Sequence, residues 1–214
     1  MNLDAMYNRN IQKLFKTGAI KVCPPGKPFW YTSGTIGPYY INTHFLYGSE
    51  EKAVGLLDFI DKTKEDIDRF HEEISARLWE NYCSDSIYKD VMDQLLGLVR
   101  DKIGINNIFH ISGGERRDWF FSFLLAELLD KPHLTIYKDF KVYEFYKGIT
   151  TVPGTLEGKS VLHVADLLTE GSSYEKAWIQ AIRKIGGFIR QSVVVVDRKQ
   201  GGRKLLESHG IELY

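Results

Sequence analysis

Residues 159–196, KSVLHVADLLTEGSSYEKAWIQAIRKIGGFIRQSVVVV, decide the fold class. KSVLHVA is a short apolar run, DLLTEGSS is a polar loop containing one glycine, and SYEKAWIQAIRKIGG is a helical pattern that stops at two glycines. FIRQSVVVV follows as a near-continuous β-branched run, the composition of a strand covered on both faces. Strand, loop, helix and strand of these lengths make a parallel pair joined by a crossover helix.

Toward the C-terminus, DRKQGG reads as a loop, followed by a helix through Ser208 and a last short strand at IELY. Toward the N-terminus the alternation repeats. NNIFHI is a strand, SGGERR a polar loop, DWFFSFLLAELLD a buried helix and HLTIYK a strand, with residues 139–158 left as a long loop. The chain therefore reads as α/β, with a doubly wound and mainly parallel sheet.

Residues 49–102 differ in character. They contain no proline and mix charged with apolar residues at helical spacing, which predicts two or three helices with a break near Asn81–Ser86. They read as a helical cap or insert with a solvated charged face. Residues 3–17 predict an amphipathic helix on Leu3, Met6, Ile11, Leu14 and Phe15, ended by Gly18. The glycine-, proline- and aromatic-rich loop CPPGKPFWYTSGTIGPYYINTHFLYG follows, with a short strand expected over Tyr39–Leu46. The expectation is a single domain over 1–214, made of an N-terminal hood segment (1–48), the helical insert (about 49–102) and the α/β body.

At 214 residues, 43% hydrophobic and 26% charged, the chain has an ordinary globular balance and length enough for a buried core. Lys plus Arg equals Asp plus Glu at 28 each. Bulk charge thus argues against nucleic-acid or anionic-membrane partners, and an anionic ligand must be held by local geometry. Cys23 and Cys83 are isolated, with neither disulfide-framework nor metal-motif spacing, and Cys83 is expected to be buried in a helix. MNLDAMYNRNIQKLF lacks a signal-peptide layout, and no apolar run has membrane-spanning length, so a cytoplasmic location is expected. The six histidines lack metal-ligand spacing, and His163 reads as a core or edge residue of its strand.

In open parallel sheets ligands sit beyond the carboxyl ends of the strands, where SGGERR, DLLTEGSS and DRKQGG emerge. In DLLTEGSS, Gly171 permits close backbone approach, Thr169, Ser172 and Ser173 add hydroxyls, and the next helix presents its N–H groups. That combination suits a monophosphate, with Asp166 placed to accept from ribose hydroxyls. Alternatively, Asp166 and Ser172 simply build a turn and a helix cap. Gly113 and Gly114 could wrap an anion that Arg116 and Arg117 grip through their two-pronged donors, or the arginines could pair with Glu115 or Asp118. Arg198 could hold a carboxylate or pyrimidine carbonyl, or pair with Asp197. Lys138, Asp139 and Lys141 open the long loop, which is either a lid or plain packing.

Taken in order, these segments resemble the type I phosphoribosyltransferases, and among them the orotate phosphoribosyltransferase branch. VLHVADLLTEGSS resembles the family's signature for 5-phosphoribosyl-1-pyrophosphate (PRPP), an apolar strand, two acids and a Thr- and Gly-containing loop. SGTIGPYYIN resembles the orotate branch's N-terminal segment, VVVVDRKQGG its D-R-x-x-G-G stretch, and YKDFK the entrance to its mobile catalytic loop. The resemblance covers most of the chain outside residues 49–102. It implies magnesium-assisted transfer of a phosphoribosyl group from PRPP to orotate or a related base, with release of pyrophosphate, by a homodimer.

The resemblance also implies site roles. Asp166 would contact the ribose and be the one protein group able to reach the metal, while Thr169, Glu170, Gly171, Ser172 and Ser173 hold the 5-phosphate. Gly113, Gly114, Arg117 and Lys138 would face the pyrophosphate. Lys141 would come from the lid and reach a neighbouring subunit, and Tyr40, Thr169 and Arg198 would shape the base pocket. Five positions depart from the pattern. Ala165 replaces the first acid, Glu170 the second threonine, Thr32 a base-contacting lysine, Tyr137 an arginine, and Tyr143 falls near the lid histidine. Two further functional readings stand beside the enzyme: a non-catalytic PRPP- or nucleotide-binding regulatory protein, and a protein-interaction role for residues 49–102.

Overall fold

The computed structural model describes residues 3–30 and 36–214, with side chains from Arg9 onward. Thr32 and the Ser33–Gly34 start of the N-terminal motif lie outside the described residues, as do the side chains of Leu3 and Met6.

A seven-stranded sheet carries the molecule. In chain order its strands are β5 (His110–Gly114), β6 (His133–Ile136), β7 (Val142–Tyr146), β8 (Ile149–Thr151), β9 (Ser160–Leu168), β10 (Phe188–Asp197) and β11 (Glu212–Leu213). Four short strands precede them: β1 (Ile20–Val22), β2 (Phe29–Trp30), β3 (Ile36–Gly37) and β4 (Tyr39–Ile41). The spatial order is β11-β10-β9-β5-β6-β7-β8. Pairings from β11 through β6 are parallel, and β7 and β8 add antiparallel at one edge. The doubly wound, mainly parallel sheet expected from the alternation is what forms.

The helices are α1 (Leu3–Lys16), α2 (Glu50–Thr63), α3 (Ile67–Ser84), α4 (Ser86–Leu98), α5 (Trp119–Leu128), α6 (Ile179–Lys184) and α7 (Gly202–Ser208). Strand alternation sorts them into two layers. On β9, Leu162 and Val164 face the core shared by α2–α5, whereas Val161 and Ala165 face the core of α6 and α7. The break near Asn81–Ser86 falls at Asp85, whose carboxylate accepts from the Ile87 and Tyr88 amides (both 3.0 Å) and starts α4. Residues 49–102, expected as an insert, form a full layer. Phe70, Ile74, Leu78, Tyr88 and Met92 are all 0% exposed in the same core as α5.

Four local expectations are corrected. Residues 139–158 hold the β7–β8 hairpin rather than one long loop. Val142–Tyr146 pairs antiparallel with Ile149–Thr151, and Lys147 (φ 49°) with Gly148 (φ 79°) supply the two positive-φ residues that a tight hairpin turn requires. The strand expected over Tyr39–Leu46 ends at Ile41, and Thr43–Tyr47 turn as a 3-10 helix that buries all five residues. Ser112, Gly113 and Gly114 belong to β5 rather than to a loop. Gly114 is pressed so close to Trp178 that a Cβ would stand 2.2 Å from its ring. Cys83 is exposed, because the buried face of α3 passes through Phe70, Ile74, Leu78 and Asn81.

Candidate active site

The chain leaves β5 toward β6 on one side and later returns to lay β9 on the other. The order of the sheet reverses between β5 and β9, the place where open α/β sheets receive ligands. A cavity of about 350 Å³ lies there, and Asp118, Asp166, Thr169 and Gly171 are among its lining residues.

One wall is the turn after β9. Thr169, Gly171, Ser172 and Ser173 line the cavity, and both serines are exposed. Gly171 takes φ +82° and its carbonyl accepts from the Tyr174 amide at 3.0 Å, starting the π-helical turn Tyr174–Trp178 that leads into α6. The loop after β10 braces this wall. The Arg198 amide donates to the Leu168 carbonyl (2.9 Å) and the Gly202 amide to the Thr169 carbonyl (2.9 Å). A Cβ on Gly202 would lie 2.6 Å from that Thr169 oxygen, so glycine is what allows the two loops to meet. Glu170 is exposed and stands outside the lining, so its carboxylate does not face the cavity.

The opposite wall is cationic. Arg116, Arg117 and Lys138 line it. Glu115 fixes this wall, pairing with Lys64 and accepting the Lys138 amide at 3.0 Å, while Arg116 pairs with Asp61. Burial works to raise the Glu115 carboxyl, but the Lys64 contact and the Lys138 amide hold it below its ordinary value. Lys64 and Asp61 come from the end of α2, so the helical layer positions the loop that carries Glu115 and Arg116. His44 lies beneath: burial first, then Arg117 and Arg116, push it down to about 3, so it stays neutral.

Two carboxyl groups lie between the walls. Asp166 is pushed up to about 8, first by burial and then by the Asp118 charge. Asp118 Oδ1 accepts the Asp166 amide at 2.9 Å and its Oδ2 accepts the Gly114 amide at 3.0 Å. Asp166 Oδ2 is buried with no hydrogen-bond partner among the described residues. Asp118 entered the sequence reading only as a possible partner for the arginines. Its position at the start of a buried helix, four residues past Gly114, gave no sign that its side chain turns back onto two strands.

The remaining candidates are placed differently. Gly113 and Gly114 are buried strand residues outside the lining, held to glycine by Ser122 and Trp178. Lys141 is outside the cavity, exposed and paired with Asp139 at 2.7 Å. The Arg198 guanidinium lies 5.4 Å from the centre of the Tyr39 ring, next to Tyr40, whose ring packs edge-on against Phe29 at 6.1 Å. Tyr137 packs against Trp119 and donates to the Lys64 carbonyl at 2.9 Å. Among the described residues no group of three or more His, Cys, Asp or Glu could hold a metal ion. A magnesium ion carried by substrate phosphates needs only one or two carboxylates, and the unpartnered Asp166 Oδ2 fits that smaller role.

Fold and cavity define a doubly wound α/β protein with a hydroxyl- and cation-lined cavity at its switch point. No protein-family profile matches the chain. An orotate phosphoribosyltransferase from Methanosphaera stadtmanae is 31% identical over 123 residues, which are 58% of this chain and 67% of that protein. One from Staphylothermus marinus is 29% identical over 213 residues, 100% of this chain and 82% of its own. Four other orotate phosphoribosyltransferases match over only 29% to 39% of their lengths. The crystal structure of orotate phosphoribosyltransferase from Aeropyrum pernix superposes with a TM-score of 0.63 at 22% identity, covering 95% of this chain and 90% of that one. The chain belongs to the orotate phosphoribosyltransferase family.

Proposed function

We propose that the protein transfers a phosphoribosyl group from PRPP to orotate or a related base, releasing pyrophosphate. The observation that carries this reading is the cavity itself: a hydroxyl-rich glycine turn faces Arg116, Arg117 and Lys138 across a pair of carboxyl groups. The 5-phosphate fits the Thr169–Ser173 turn, whose three hydroxyl-bearing residues line the cavity. The pyrophosphate fits the opposite wall, where arginine forks and an ammonium can hold a leaving group as its charge grows. Asp166 then faces the ribose between them. Magnesium, brought in with the pyrophosphate, would supply neutralisation of its charge. The base would lie toward Arg198 and the Tyr39–Tyr40 strand. A homodimer, with Lys141 reaching a neighbouring copy, belongs to the same proposal.

A second reading, a non-catalytic PRPP- or nucleotide-binding protein, is favoured by one observation. Lys141 is exposed and paired with Asp139 rather than facing the cavity. The two readings separate on pyrophosphate release from PRPP with magnesium and a pool of orotate and common bases. Base-dependent release that Lys141→Ala abolishes supports the transferase. PRPP-induced thermal stabilisation without release from any base supports the binder and sinks the transferase.

A further inference from the structure

We propose that Asp118 is the second acid of the ribose-facing pair, standing in from the loop after β5 for the carboxylate that Ala165 lacks on β9. The inference rests on the functional reading above and goes one residue further. Ala165 and Asp118 line the same cavity, but the alanine methyl offers no acceptor. Asp118 Oδ1 accepts the Asp166 amide at 2.9 Å, so its carboxylate lies against the peptide that joins Ala165 to Asp166.

The bonding of Asp118 sets it apart from an ordinary helix cap. It stands immediately before α5, yet its side chain makes no capping bond to that helix. Both oxygens go to strand ends instead, Oδ2 to Gly114 and Oδ1 to Asp166. A carboxylate has about four acceptor positions, so two remain for a ligand. More unused capacity surrounds them. Asp166 Oδ2 is buried without a partner, and so is His163 Nε2, 3.6 Å from Asp118 Oδ2 and beyond hydrogen-bond range. Two carboxyl groups held rigidly beside a phosphate-type turn match the adjacent hydroxyls of a 5-phosphorylated pentose.

The test is calorimetric titration of the full chain with ribose 5-phosphate and, separately, inorganic phosphate, in magnesium-free buffer with chelator. Asp118→Asn should weaken ribose 5-phosphate by at least about tenfold, the scale of a lost charge-assisted contact. Inorganic phosphate, which carries no ribose hydroxyls for the carboxyl pair, should stay within about twofold. Equal weakening of both ligands would reduce Asp118 to a structural tie, and unchanged ribose 5-phosphate binding would also overturn the proposal. If Asn at this position prevents folding, Asp118→Ser keeps one short acceptor and is judged by the same comparison. Wild-type protein that binds phosphate but gains nothing from the ribose defeats this proposal alone. Wild-type protein that binds neither ligand defeats the functional reading with it.

Discussion

At the scale of one residue, Asp166 carries the most consequence. Burial and the neighbouring Asp118 raise its carboxyl from 3.8 to about 8. Between those values the folded chain holds a proton that the unfolded chain has released, so stability falls as pH rises. The contribution is fully present below the unfolded value and is lost as pH rises through the folded one. Asp166→Asn has no such proton to lose. Its melting temperature relative to wild type should therefore climb from pH 5 to pH 8, and thermal melts across that range read the slope directly. A constant difference would mean that the Asp166 carboxyl ionises without cost in the folded state.

Single elements depend on equally local chemistry. Asp85 ends α3 and starts α4, accepting from two amides and from Lys52 at 2.8 Å. Burial opposes its ionisation, yet the Lys52 contact and those amides hold its carboxyl below the ordinary value. Asp85→Ala should cost about 1 to 2 kcal/mol, the usual loss for an N-cap, measured by urea unfolding at neutral pH. The difference from wild type should shrink as pH falls through the range where Asp85 protonates. The β7–β8 hairpin is a second such element. It converts the candidate lid into a sheet edge because Lys147 and Gly148 make a turn tight enough to pair Phe145 with Thr150.

For the whole molecule the deciding feature is the helical layer over residues 49–102. Phe70, Ile74, Leu78, Tyr88 and Met92 pack with Trp119 and Phe120 of α5 in one core. Lys64 and Asp61 reach from α2 to the cationic wall of the cavity. Deleting the segment would expose that core on the α5 side, at a cost of several large apolar side chains worth about 1.5 to 3 kcal/mol each. The shortened chain should lack cooperative unfolding by circular dichroism and lose phosphate binding with it. A shortened chain that melts cooperatively and still binds phosphate would restore the interaction-module reading.

The sequence alone determined the parallel part of the sheet and the Gly171 turn, but not the β7–β8 hairpin at its edge. β-branched runs such as VVVV, the Gly171 turn and the alternation of strand and helix are signals of period and backbone conformation, and those act within a few residues. The layer from which α2–α5 cover the sheet was beyond such signals, since a charged amphipathic helix reads the same whether it caps a domain or builds its core. The partner of Asp166 was equally hidden. Asp118 lies 48 positions earlier, in the loop before α5, and meets it through a side-chain oxygen that accepts the Asp166 amide. Tertiary structure alone decided that pairing, because laying β9 beside β5 brings the loop after β5 onto Asp166, and their separation along the chain carries no trace of that contact.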